Sequence, residues 1–142
     1  MELRLQDYWF YGESEISKSL FWIVGMIPHQ LGNLSNLQYL DLGSNMPTLH
    51  IENFSCLSSL SLLKYLDLSN VLLNKSSDWL QMVNTLSSLQ ILKLSECKLY
   101  HQTQLPFVNM SSLVTLDLSR NPLNPIAGWI YSITSTLTRL HI

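Results

Sequence analysis

Charge is what this chain has least of. Asp, Glu, Lys and Arg together make up 13% of its 142 residues, roughly half the usual ~25% share. The formal net charge is −2, and no basic stripe interleaved with aromatics stands anywhere. Nucleic acid is therefore not an expected partner. Cysteine is nearly absent. Cys56 and Cys97 are the two, with no C-x-x-C and no histidine at ligand spacing, so no zinc site is indicated. Long apolar runs are missing as well. The longest, Leu20–Ile27, falls well short of the ~18–20 residues that cross a membrane. Glu2, Asp7, Glu13 and Glu15 precede it, where a signal peptide would carry positive charge. Neither a signal peptide nor a membrane segment is read. The four histidines are scattered, and G-x-S-x-G, H-E-x-x-H and phosphate-loop patterns do not occur. No enzyme, metal or cofactor is expected.

What the chain has is leucine in a pattern. Residues 34 to 45 read LSNLQYLDLGSN. The leucine spacing is 3, 3 and 2, which is neither a helix nor a plain strand. The block returns as LSLLKYLDLSNV (Leu60–Val71), LSSLQILKLSEC (Leu86–Cys97) and MSSLVTLDLSRN (Met110–Asn121), with a shorter copy at Thr134–Ile142. The last apolar strand positions, Leu42, Leu68, Leu94, Leu118 and Ile142, lie 26, 26, 24 and 24 residues apart. Five registered copies at that interval are a repeat of the leucine-rich kind.

Physics gives each part of the block a role. In Y-L-D-L the period is 2, so Leu40 and Leu42 point inward while Tyr39 and Asp41 point out. Each copy predicts one short strand, near 38–43, 64–69, 90–95, 114–119 and 138–142, and successive strands stack in parallel. Asn45 falls where the chain leaves the strand. An asparagine there can bond the backbone of neighbouring loops and form a ladder. Asn121 holds the same place, and Cys97 is a small substitute with a weak donor. Val71 is the misfit. Asn70 sits one place early, so that rung is expected to be weak. Cys97 at an interior ladder position also argues against a disulfide with Cys56. Ser77–Val83 reads as a short helix, with Ser77 as cap and Asp78 in its first turn. Trp79, Met82, Val83 and Leu86 share its buried face.

IPHQLGNLSNLQYLDL (Ile27–Leu42) resembles the plant extracellular type of leucine-rich repeat. SSDWLQMVNTLSSLQILKLSECKL (Ser76–Leu99) and PFVNMSSLVTLDLSRNPLN (Pro106–Asn124) are similar to stretches of the large plant receptor-like proteins. Ala127 stands where the motif's proline would fall. The resemblance covers residues 27–142. It implies an α/β-type repeat solenoid: a curved parallel sheet with short helices or 3-10 turns on its convex side. Residues 1–26 match no repeat and are read as a non-repeat segment without a strand block. The resemblance further implies a receptor-like protein or receptor kinase ectodomain, of which this chain is a fragment, in defence or developmental signalling at the outer face of the plasma membrane. The implied partner is a protein, peptide or glycan ligand, with a co-receptor beside it. A secreted inhibitor or adaptor, similar to plant inhibitors of pectin-degrading enzymes, and a truncated, non-functional gene fragment are the alternatives. Sequons at Asn33, Asn53, Asn74 and Asn109 are candidate glycosylation sites.

In such repeats the strand face is the usual binding surface. Its outward residues are Tyr39, Tyr65, Ile91, Thr115 and Arg139 in one column, and Asp41, Asp67, Lys93, Asp117 and His141 in the next. The candidate ligand-binding residues are Tyr39, Asp41, Tyr65, Asp67, Lys93, Asp117, Arg139 and His141. The tyrosines should be neighbours, and Lys93 should offset repulsion between Asp67 and Asp117. The aspartates read first as scaffold. Asp117, His141, Ser95 and Ser119 hold the raw material of a Ser-His-Asp arrangement, but a shallow strand face supplies no water-excluded pocket for it.

Overall fold

The threefold leucine spacing comes from consecutive tight turns. The Leu34 amide donates to the Leu31 carbonyl at 3.1 Å, and the Leu37 amide to the Leu34 carbonyl at 2.8 Å. The same pair of bonds recurs from Leu60 to Leu57 and from Leu63 to Leu60, both at 3.0 Å. It recurs again from Leu86 to Val83 and from Leu89 to Leu86, both at 3.0 Å. An i to i+3 bond reverses the chain every three residues, so residues three apart turn to one side. The chain then straightens and the period becomes two.

The computed structural model describes residues 1–4, 27, 29–43, 49, 51, 54–73, 78–99, 109–122, 130, 133 and 135–142. The strands are β1 (Glu2–Arg4), β2 (Tyr39–Asp41), β3 (Tyr65–Asp67), β4 (Ile91–Lys93), β5 (Thr115–Asp117) and β6 (Arg139–His141). Among the described residues they form one six-stranded sheet in sequence order, parallel throughout. The register aligns Leu3, Leu40, Leu66, Leu92, Leu116 and Leu140 in a single row across the sheet. Leu40, Leu66, Leu92 and Leu116 have no exposed surface, whereas Leu140 on the edge strand is 38% exposed. The stretch read as lacking a strand does contain one. Met-Glu-Leu-Arg-Leu has the Leu-x-Leu spacing, but none of the upstream leucines that mark the other copies precede it.

Short helical pieces lie between the strands, among them a 3-10 helix at His29–Asn33, α1 at Ser55–Ser58 and α2 at Trp79–Thr85. The 3-10 helix packs on α1, and α1 packs on α2. Sheet and helices together give a leucine-rich-repeat-like α/β arrangement around one core. Helix α2 buries Trp79, Leu80, Met82 and Val83; Leu86, the fourth residue of the expected face, is buried at the C-cap, and Leu80 joins in addition. Its start differs from the expectation. Asp78 stands at the N-cap itself and makes no side-chain capping bond. Ser77 lies outside the described residues, as do Asn45, Asn53, Asn74 and Ala127. No helix among the described residues is long and apolar enough to cross a membrane.

Candidate binding face

Strands β2, β3 and β5 hand the chain to a turn in the same way, and the turn decides which side chains remain available. The Asp41 carboxylate accepts the Gly43 amide at 3.0 Å. Asp67 accepts the Ser69 amide and Asp117 the Ser119 amide, both at 2.9 Å. An aspartate that bonds the backbone two residues on closes an Asx turn. The next residue then adopts a left-handed backbone, Asn70 at φ 69° and Arg120 at φ 57°, and Glu96 does so at φ 58° after β4, where Lys93 stands in place of the aspartate. Asparagine tolerates that region better than most residues. Asn70 is therefore not a displaced ladder residue but one suited to the left-handed corner it occupies.

One place further along stands the ladder. Asn121 donates its side-chain amide to the carbonyls of Leu94 at 2.7 Å and Leu118 at 2.8 Å, while its oxygen accepts the Leu99 amide at 3.3 Å. Cys97 does the same work more weakly, donating its thiol to the Leu68 carbonyl at 3.1 Å. Val71, in that register, is buried and contributes only a backbone bond to the Leu68 carbonyl, at 2.9 Å. Both cysteines are free thiols, Cys56 half-buried and Cys97 buried. Burial pushes the Cys56 thiol up, and it pushes Cys97 from its ordinary 9.0 to about 12.

The Cys97 shift has a measurable consequence. The fold holds the protonated thiol, so its contribution is complete below pH 9.0 and is lost as pH rises towards 12. Over that window stability should fall by about 1.4 kcal/mol per pH unit from this group. Urea midpoints measured from neutral to alkaline pH check this against Cys97→Ser, whose hydroxyl does not titrate. The variant should show the shallower decline, and identical slopes would sink the idea.

On the strand face the aspartates are bent onto their own turns. Asp41 is 1% and Asp67 6% exposed, and Asp117 is half-buried. Asp67 has partners beyond its own turn. Its second oxygen accepts the Tyr65 hydroxyl at 3.2 Å and lies 3.4 Å from the Lys93 ammonium. Gly43 makes room for it, because a β-carbon there would stand 2.6 Å from Asp67 Oδ1. Ser69, Ser95 and Ser119 occupy the corresponding place in the other copies. The Ser119 hydroxyl donates to Asp117 at 2.6 Å, and the Ser95 and Ser119 hydroxyls lie 3.0 Å apart. That is the bonding of a turn: Ser119 goes to a carboxylate directly, not to an imidazole that could activate it.

The tyrosines come together. Tyr39 and Tyr65 stack with centroids 4.0 Å apart and planes 5° from parallel. The Lys93 ammonium lies 5.3 Å from the Tyr65 ring centroid. Neighbouring parallel strands stand ~4.8 Å apart, so in-register rings on β2 and β3 can stack without leaving their columns. Burial, a bond with Tyr39 and the charge of Asp67 hold the Tyr65 phenol well above the usual range, so it stays a neutral donor. Arg139 and His141 are exposed on β6. Arg120 pairs with Glu96 across adjacent corners, an ion pair that sequence spacing did not single out. Among the described residues no three His, Cys, Asp or Glu side chains group as a metal site would require.

A profile of the Leucine Rich Repeat family matches residues 112–133. That match supports a leucine-rich repeat protein. It covers β5 and its exit corner, the stretch holding Leu113, Leu116, Leu118 and Asn121. No curated protein matches the chain. Leucine-rich repeat domains are in general protein-interaction modules without catalytic activity, and the arrangement on the sheet agrees with a protein-binding role.

Proposed function

We propose that the chain is a non-catalytic binding module of a receptor ectodomain. It is a leucine-rich repeat solenoid that takes a protein or peptide ligand on its strand face. The observation that carries this reading is the Tyr39–Tyr65 stack, held in place by Lys93 and Asp67. Stacked aromatics backed by a rigid sheet lose little freedom on binding, which is why tyrosines anchor interfaces. The similarity of residues 27–142 to plant receptor-like proteins extends the reading to the outer face of the plasma membrane, with defence or developmental signalling as the setting. Asn33 and Asn109 are exposed, as an extracellular, glycosylated protein would have them.

Selection of a random peptide display library on the protein tests the reading. Selected peptides should lose about tenfold or more in affinity on Tyr65→Ala, the loss typical of an aromatic anchor. They should be unaffected by Gln81→Ala, an exposed position on α2. Peptides that bind equally to both variants, each verified as folded, would show that the strand face is not the site.

A further inference from the structure

Which charges can reach a ligand differs sharply between the two signs. On β2, β3 and β5 the strand-face aspartates are engaged. Asp41, Asp67 and Asp117 each close their own turn, whereas Glu2 on β1 is exposed and Glu96, paired to Arg120 at the corner, keeps 41% of its side chain in solvent. The cations reach outward. Lys64 and Arg139 are exposed, and Lys93 keeps 38% of its side chain in solvent although it lies beside Asp67. An ammonium has three donors and no acceptor, so one carboxylate does not exhaust it. The aromatic stack adds to the asymmetry. Tyr65 has one ring face on Tyr39 and the other towards Lys93. What it presents to an incoming group is its edge, and a ring edge carries the positive part of the quadrupole. A sugar that needs an open ring face finds both sides of Tyr65 taken. A carboxylate meets ring edge and ammonium together.

We propose that this strip, from Tyr65 and Lys64 through Lys93 to Arg139, takes an acidic, extended segment of a partner protein laid across the strands. This rests on the strand face being the binding surface. The row from β3 to β6 spans three strand intervals, about 14 Å. That is the reach of four to five extended residues at about 3.3 Å each, so carboxylates on alternate residues can meet successive cations.

The test uses a fluorescein-labelled decapeptide alternating Glu and Ser, with a Lys–Ser decapeptide as its counterpart, read by anisotropy on the full chain. The Glu–Ser peptide should bind and weaken as salt rises, while the Lys–Ser peptide should not bind. Lys93→Gln and Arg139→Gln should each weaken binding about tenfold, and Lys93→Arg should restore most of it. Lys98→Gln, an exposed cation beyond the ladder corner, should change affinity less than about twofold. Three outcomes would overturn the proposal. They are equal binding of the two peptides, a Lys98→Gln loss as large as that of Lys93→Gln, and tighter Lys93-dependent binding of a sulfated oligosaccharide than of the peptide. Library peptides that depend on Tyr65 but carry no acidic bias would leave the binding face standing and remove only this assignment.

Discussion

Leu66→Ala is expected to lower the unfolding free energy by about 3–4 kcal/mol, in the middle of the range for buried leucines. Leu66 has no exposed surface and sits in the middle of the leucine row, between Leu40 and Leu92. The cost of such a deletion depends on whether the surroundings can close over the cavity. Here they cannot. Strands β2 and β4 are pinned on either side of β3 by parallel backbone pairing, at a spacing set by hydrogen bonds and not by side-chain size. The control is Leu140→Ala in the same row. Leu140 is 38% exposed, so its truncation should cost about 1 kcal/mol or less. Urea titration of both variants decides the matter, and equal losses would refute the argument. A loss of the predicted size is a large fraction of the 5–15 kcal/mol typical of a domain.

That row was legible in the sequence because burial and period are the same signal. Leucine at a fixed register cannot serve both core and solvent, so five copies placed the five strands β2 to β6 and their order. The Tyr39–Tyr65 contact was legible for the same reason, as register alone makes the two residues neighbours. The N-terminal strand was not. Leu3-x-Leu5 is two letters of a pattern that needs four or five, and pairing with β2 supplies what local sequence lacks. Backbone conformation was also hidden. Nothing in the spelling of Glu96 or Arg120 announces φ near 57–58°, because the tight exit from the strand imposes it and the neighbouring ladder and ion pair hold it. Asn70 looked like a ladder residue out of place, since asparagine suits both jobs.

The candidate site divides along the same line. Register puts Asp41, Asp67, Lys93 and Asp117 in one column, yet the period cannot say whether a carboxylate faces solvent or bends onto its own turn. That choice rests on bonds of 2.9–3.0 Å to the amides two residues on. Such bonds satisfy backbone donors that burial would otherwise leave unpaired. The outward charge of the face therefore differs from the charge of its column. Along β3 to β6 a chain of net charge −2 presents Lys64, Lys93 and Arg139 and turns Asp67 and Asp117 onto their own corners.

Asn121→Ala is the second substitution with a large expected effect, a loss of about 2–3 kcal/mol. The side-chain amide of Asn121 bonds two carbonyls that belong to different copies, Leu94 and Leu118, and its oxygen receives the Leu99 amide. Alanine leaves those groups with no partner of equal geometry. Stranding a buried backbone group costs about 1–3 kcal/mol. The part-buried setting allows some recovery by water, which keeps the total below a simple sum. Cys97 supplies the internal comparison. It occupies the same rung with one weak donor to the Leu68 carbonyl, so Asn121→Cys should retain part of what alanine forfeits and cost about 1 kcal/mol less. Hydrogen exchange gives a second readout. The Leu99 amide should exchange faster in Asn121→Ala by a factor larger than the global destabilisation predicts, because its acceptor is gone. If Asn121→Cys and Asn121→Ala proved equally destabilised, the thiol of Cys97 could not be acting as a rung. The contact between β3 and β4 at that corner would then rest on backbone pairing and the packing of Val71 alone.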